Sequence, residues 1–134
     1  MNNRPWVYPF SFITFAPVVV AFLLGLVLVV PSVVVNVALG KIAALLHLAV
    51  LIGGGAGLLS ALLLTFDIAG KPLSDTSVGL KRVGLAIGVT SELWLMHMAT
   101  PAPEPFLFYW VPPLIGSVVL MGLSIRLDAK STNR

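Results

Sequence analysis

The chain has 134 residues, of which 58% are hydrophobic and only 10% charged, and its mean hydropathy is +1.04. A soluble domain is roughly half apolar and a quarter charged, and one of this length has too little interior to hide so much apolar surface. Lipid can act as its solvent once the backbone closes its own hydrogen bonds as helices. The formal net charge is +3 and cysteine is absent, which excludes disulfides, thiolate metal sites and cysteine nucleophiles.

The length leaves room for about four spans joined by short loops. The fold class expected is therefore all-α, an integral membrane bundle of four transmembrane helices forming one domain over residues 1–134. The first apolar segment lies within Phe10–Val37, where Pro17 and Pro31 each offer a boundary. A span over about 16–35 is expected. MNNR before a hydrophobic run has the outline of a signal peptide, but the run is longer than a usual h-region and no small-x-small cleavage site follows it cleanly. It reads as a retained first helix.

The second segment, about 42–66, stands between Lys41 and Asp67. Here Ala49, Gly53, Gly57 and Ala61 recur every four residues and so share one stripe of the helix, which Gly54 and Gly55 widen. Small residues let another backbone approach closely where lipid removes the hydrophobic incentive to associate. The stripe packs either on another helix of this chain or on a partner subunit. GGGAG lies mid-span with no Lys-Ser/Thr after it, which rejects a phosphate loop. In the following loop, FDIAGKPLSDTSVGLKR, the residues Pro72, Ser74, Asp75 and Thr76 read as a solvated turn. The third segment, about 83–99, covers about 26 Å at ~1.5 Å per residue and barely crosses. The fourth, about 106–125, begins behind the turn PAPEP and ends at Arg126.

Basic residues set the orientation. Arg4, then Lys71, Lys81 and Arg82, then Arg126, Lys130 and Arg134 fall at the amino end, the second loop and the carboxyl end, against Lys41 alone on the other side. Both termini are thus expected on the cytoplasmic side of an inner or plasma membrane. Trp6, Tyr8, Phe10 and Phe12 at one end, and Phe106, Phe108, Tyr109 and Trp110 at the other, match interfacial aromatic belts. The basic face favours anionic lipid headgroups over nucleic acid. Bound lipid is expected.

The polar residues inside the spans are few. Counted from the outer boundary at ~1.5 Å per residue, His47, His97 and Glu92 lie roughly 9, 5 and 12 Å deep, with Thr90 and Ser91 beside the acid. That would make His47 and Glu92 nearly level. With no Lys or Arg in the hydrocarbon to pair with it, Glu92 needs a hydrogen-bond partner such as His47, Thr90, Ser91 or Ser60 if it only fixes packing. Its functional reading is a proton or ion path, a ligand site or a subunit contact. His47 and His97 are ordinarily packing residues, yet two imidazoles at similar depth are the minimum for axial ligation of a haem b, or of a chlorophyll-type pigment through one of them. No other metal site is indicated.

No H-E-x-x-H, G-x-S-x-G or paired carboxylate arrangement occurs, so an enzyme is disfavoured. The layout resembles small channel-forming homodimers, anchors of quinone-linked oxidoreductases and supernumerary subunits of respiratory or photosynthetic complexes in size and topology alone. Two functions lead: a non-catalytic subunit or anchor of a larger membrane assembly, electron-transfer complexes among them, and a small oligomeric transporter or channel lined by Glu92, Thr90, Ser91 and His47. The cytoplasmic half shows little polarity beyond Ser60 and Thr65, which favours the subunit, with other membrane proteins or further copies of the chain as partners.

Overall fold

A computed structural model describes residues 4–98 and 105–131, with side chains described for 4–98 and 110–126. The described residues are almost wholly helical: α1 (Val7–Ala38), α2 (Leu45–Ile68, entered through a single 3-10 turn at Ile42–Ala44), α3 (Val78–Met98) and α4 (Pro105–Ser131). The expected belt residues Phe106, Phe108 and Tyr109, the loop acid Glu104, and Lys130 and Arg134 lie outside the described side chains.

Neither proline that offered a boundary ends the helix: α1 runs through Pro17 and Pro31, tolerating Pro31 as the span over 16–35 allowed and starting well before residue 16. Each proline removes one backbone bond, to the carbonyl of Ile13 and of Val27, and the surrounding turns carry the helix on. α1 stops instead at Gly40, whose φ of 77° lets its N–H reach the Val37 carbonyl while Lys41 N–H reaches Asn36. α2 stops in the same way at Gly70, with φ 81°, where Gly70 bonds Asp67 and Lys71 bonds Phe66. Both are glycine-terminated Schellman ends, in which glycine adopts the left-handed backbone without a Cβ penalty. α3 starts earlier than expected, because the Ser77 hydroxyl accepts the N–H of Leu80 and caps the helix there.

The helices alternate in direction. Thr65 on α2 donates to Ser11 on α1 at 2.8 Å. Further along the pair, the Phe22 ring packs beside Gly55 and Leu51 beside Gly25. The closest packing joins α2 to α3, where Gly57 and Gly88 meet backbone to backbone, Gly53 faces the Ser91 hydroxyl and Gly84 faces that of Ser60. Three of the four stripe residues are therefore spent inside the chain: Gly53 and Gly57 are buried, and Ala61 belongs to the core with Leu64, Ile68, Leu85, Leu120 and Val7. Ala49 is exposed.

α1, and α2 with its leading turn, are long and apolar enough to cross a membrane. α4 adds a shorter apolar stretch at Trp110–Arg126. Phe12, Ile13, Val27 and Val118 are each about 70% exposed, whereas Ser11, Thr14, Ser60, Thr65, Ser117 and Ser124 are buried. Polarity thus lies inside the bundle and apolar surface outside.

Candidate functional site

The inter-helix seams are not equally tight. One end of the bundle gathers the start of α1, the end of α2, the start of α3 and the end of α4. Here Tyr8 packs edge-on against Phe66 with ring centroids 5.1 Å apart. Lys81 Nζ donates to both carboxylate oxygens of Asp67, at 2.8 and 3.0 Å, and to the carbonyl of Ser74 at 3.1 Å. Lys81 is 3% exposed. Arg82 Nε donates to the Ser124 hydroxyl at 2.8 Å, and its guanidinium also reaches the Ser124 carbonyl. Lys81 and Arg82 were expected to face headgroups and Asp67 to lie in a solvated loop. All three are instead turned inward, because α3 begins at Val78 and its first turns put them against α2 and α4.

Toward the other end the helices part around a cavity of about 490 Å³. Its wall is mostly apolar, with Phe22, Val50, Leu58 and Leu95 among its lining, and it includes the polar residues His47, Ser91, Glu92 and Ser117. Glu92 reaches this position because it continues the row of Gly84 and Gly88, one residue in four along α3, and that row is the one α2 packs against. The residue is 8% exposed. Its Oε1 is fully buried and has no hydrogen-bond partner among the described residues. Buried carboxyl oxygens are nearly always bonded, so an orphaned one on a cavity wall leaves a hydrogen-bonding capacity unused.

The remaining sequence candidates separate in space. Ser91 lines the cavity while packing on Gly53. Thr90 is exposed and turns its hydroxyl to its own helix, donating to the Ala86 carbonyl at 2.9 Å. His47 lines the cavity mouth as an exposed residue, and His97 is exposed outside it. The Gly57–Gly88 and Gly53–Ser91 contacts fix the α2–α3 register. Extended along both helices, it sets His47 level with His97, and about five residues, ~8 Å, beyond the level of Glu92. The expected levelling of His47 with Glu92 fails because depth was counted separately from Lys41 and from Thr100, two boundaries that the Gly57–Gly88 register does not set at one level. Among the described residues no group of three or more His, Cys, Asp or Glu could hold a metal ion.

Sequence reading missed Ser117 and the Asp67–Lys81 pair. The pair had a signal, an acid and a base flanking a short inter-helix loop. Ser117, between apolar residues on α4, had none. Comparison of the chain with protein-family models, with curated proteins and with solved structures finds no match.

Proposed function

We propose that the chain is a multi-pass membrane protein of four spans, α1 to α4, with both termini cytoplasmic, and that its cavity takes a small lipophilic molecule held at its polar end by Glu92. The observation that carries this reading is the buried, unpartnered Oε1 of Glu92 on the wall of a cavity large enough for a small organic molecule. The exposed apolar faces and the buried hydroxyls support residence in lipid, where every interior polar group must be satisfied within the protein.

A binding or carrier role accounts for more of the geometry than a docking anchor. Most of the glycine stripe is consumed between α2 and α3, so it offers a partner subunit little surface. A continuous channel is also disfavoured, because the end of the bundle beyond the cavity is closed by Asp67, Lys81, Arg82 and Ser124 bonded to one another or to nearby backbone.

Gly54 gives a clean test, since it lines the cavity and a Cβ there would meet nothing within 4 Å. Gly54→Leu should fill the space without pushing helices apart. Photolysis with 4-benzoylbenzyl alcohol, a neutral lipophilic hydroxyl compound, should label cavity residues such as Val50 and Leu95 saturably. Gly54→Leu should cut that labelling at least tenfold. Labelling spread over outward residues such as Leu62 and Val118, and unchanged in Gly54→Leu, would overturn the proposal.

A further inference from the structure

We propose that the occupant of this cavity is a lipophilic organic cation, an ammonium or similar centre on an apolar body. The inference rests on the cavity reading and narrows it.

Charge is the first argument. Among the described lining residues Glu92 is the one acid, and none is Lys or Arg. The nearby cations of α3 are occupied elsewhere, Lys81 with Asp67 and Arg82 with Ser124, at the opposite end of the bundle. A carboxylate without a partner in so apolar a place is costly to hold, and the cost falls when a cation arrives with it. An anionic occupant would meet Glu92 with no compensating base. A neutral occupant would gain at most a hydrogen bond to the carboxyl group and no charge pairing.

The wall is the second argument. Phe15, Phe22, Trp94 and Trp110 all line the same cavity as Glu92. Aromatic faces carry negative potential and attract a cation within about 6 Å, and cages of aromatic residues are how quaternary ammonium groups are recognised. They also receive the apolar body that such a molecule needs to partition into lipid. Among the described lining residues His47 is the other titratable group, about five residues along the bundle from the level of Glu92. It can face the apolar body while the cationic centre sits on the carboxylate.

Tetraphenylphosphonium and tetraphenylborate test this directly, since they are close in size and shape and opposite in charge. Equilibrium dialysis against the purified full chain in mild detergent should show saturable binding of the phosphonium at least tenfold tighter than of the borate. Glu92→Gln, checked for unchanged helicity and elution volume, should bring the two affinities within about threefold of each other. Glu92→Asp should keep part of the preference, and Gly54→Leu should lose binding of both ions. Equal affinities in the wild type, or a preference untouched by Glu92→Gln, would overturn the cation inference. If Gly54→Leu still removes both ions in that case, the cavity reading survives. If neither ion binds saturably and benzophenone labelling is also diffuse, both fall.

Discussion

Gly57 sits where a single methyl group has nowhere to go. A Cβ built on it would strike the Cα of Gly88, and the reverse holds for Gly88. The obstruction is backbone on both sides, so no rotamer change relieves it, and the whole of α2 must move away from α3. Overpacking of this kind costs typically about 1–3 kcal/mol. Replacing glycine by alanine ordinarily returns up to about 1 kcal/mol of helix propensity. In detergent-driven unfolding the helices persist in the denatured state, so that gain largely cancels and the packing penalty remains. Gly57→Ala is thus expected to destabilise by about 1–3 kcal/mol. Gly54→Ala, three residues away and facing open space, is expected to stay within about 0.5 kcal/mol of wild type. Titration of mixed micelles with sodium dodecyl sulfate, followed by circular dichroism and tryptophan emission, measures both. Gly57→Ala and Gly88→Ala should also fall short of additivity when combined, since either one already parts the helices. Equal stability of Gly57→Ala and Gly54→Ala would refute the close crossing, and with it the claim that the stripe is spent within the chain.

The Asp67–Lys81 pair has side chains only 8% and 2% exposed, so removing one partner strands a buried charge. Asp67→Asn or Lys81→Met alone should cost about 3–5 kcal/mol in the same titration, and Asp67→Leu with Lys81→Met should recover most of it; single variants costing under about 1 kcal/mol would show the pair to be wet. For the orientation, the chain has no cysteine of its own, so a cysteine introduced at Ala102 should react with an impermeant maleimide on intact cells while one at Ser74 should react only after permeabilisation. The opposite pattern would invert the proposed topology.

Helical class, the approximate positions of the helices and the packing role of Gly53, Gly57 and Ala61 were all legible, because each rests on a local pattern of apolar runs or four-residue spacing. The partner of that stripe was not. Gly84 and Gly88 lie inside the expected third span at the same four-residue spacing, but a pair of glycines does not name the helix it faces, and Lys81 and Arg82 just before them read as the loop boundary. Tertiary pairing overturns that reading. Asp67 and Ser124 supply partners that let Lys81 and Arg82 enter the helix, so α3 gains its first turns. The glycine ends at Gly40 and Gly70 carried a signal that went unused, Leu-Gly-Lys and Ala-Gly-Lys near the close of an apolar run. The prolines misled for the opposite reason. In water a proline inside a helix is a strong breaker, whereas a helix in lipid has no better place to send its backbone polar groups and continues.

Where the polar ties fall decides where the molecule can open. Thr65 to Ser11 links α2 to α1, Lys81 to Asp67 links α3 to α2, and Arg82 to Ser124 links α3 to α4. These bonds connect all four helices, and all lie at the end where α1 begins and α4 finishes. Around the cavity the described contacts are between apolar or small side chains, such as Leu51 on Gly25 and the Phe22 ring on Gly55. Van der Waals contacts of that kind are individually worth tenths of a kcal/mol and reform in shifted positions, whereas a buried ion pair has one good geometry and a steep cost for leaving it. These polar ties fix the end where α1 begins, and on the cavity reading a ligand would reach Glu92 from the cavity side, in the outer half of the membrane in the proposed orientation. Glu92 stands between the two regimes, since Gly84 and Gly88 hold its helix tightly against α2 on one side and the cavity lies open on the other. The carboxyl group is thus carried on the rigid part of the bundle and presented to the part that can move.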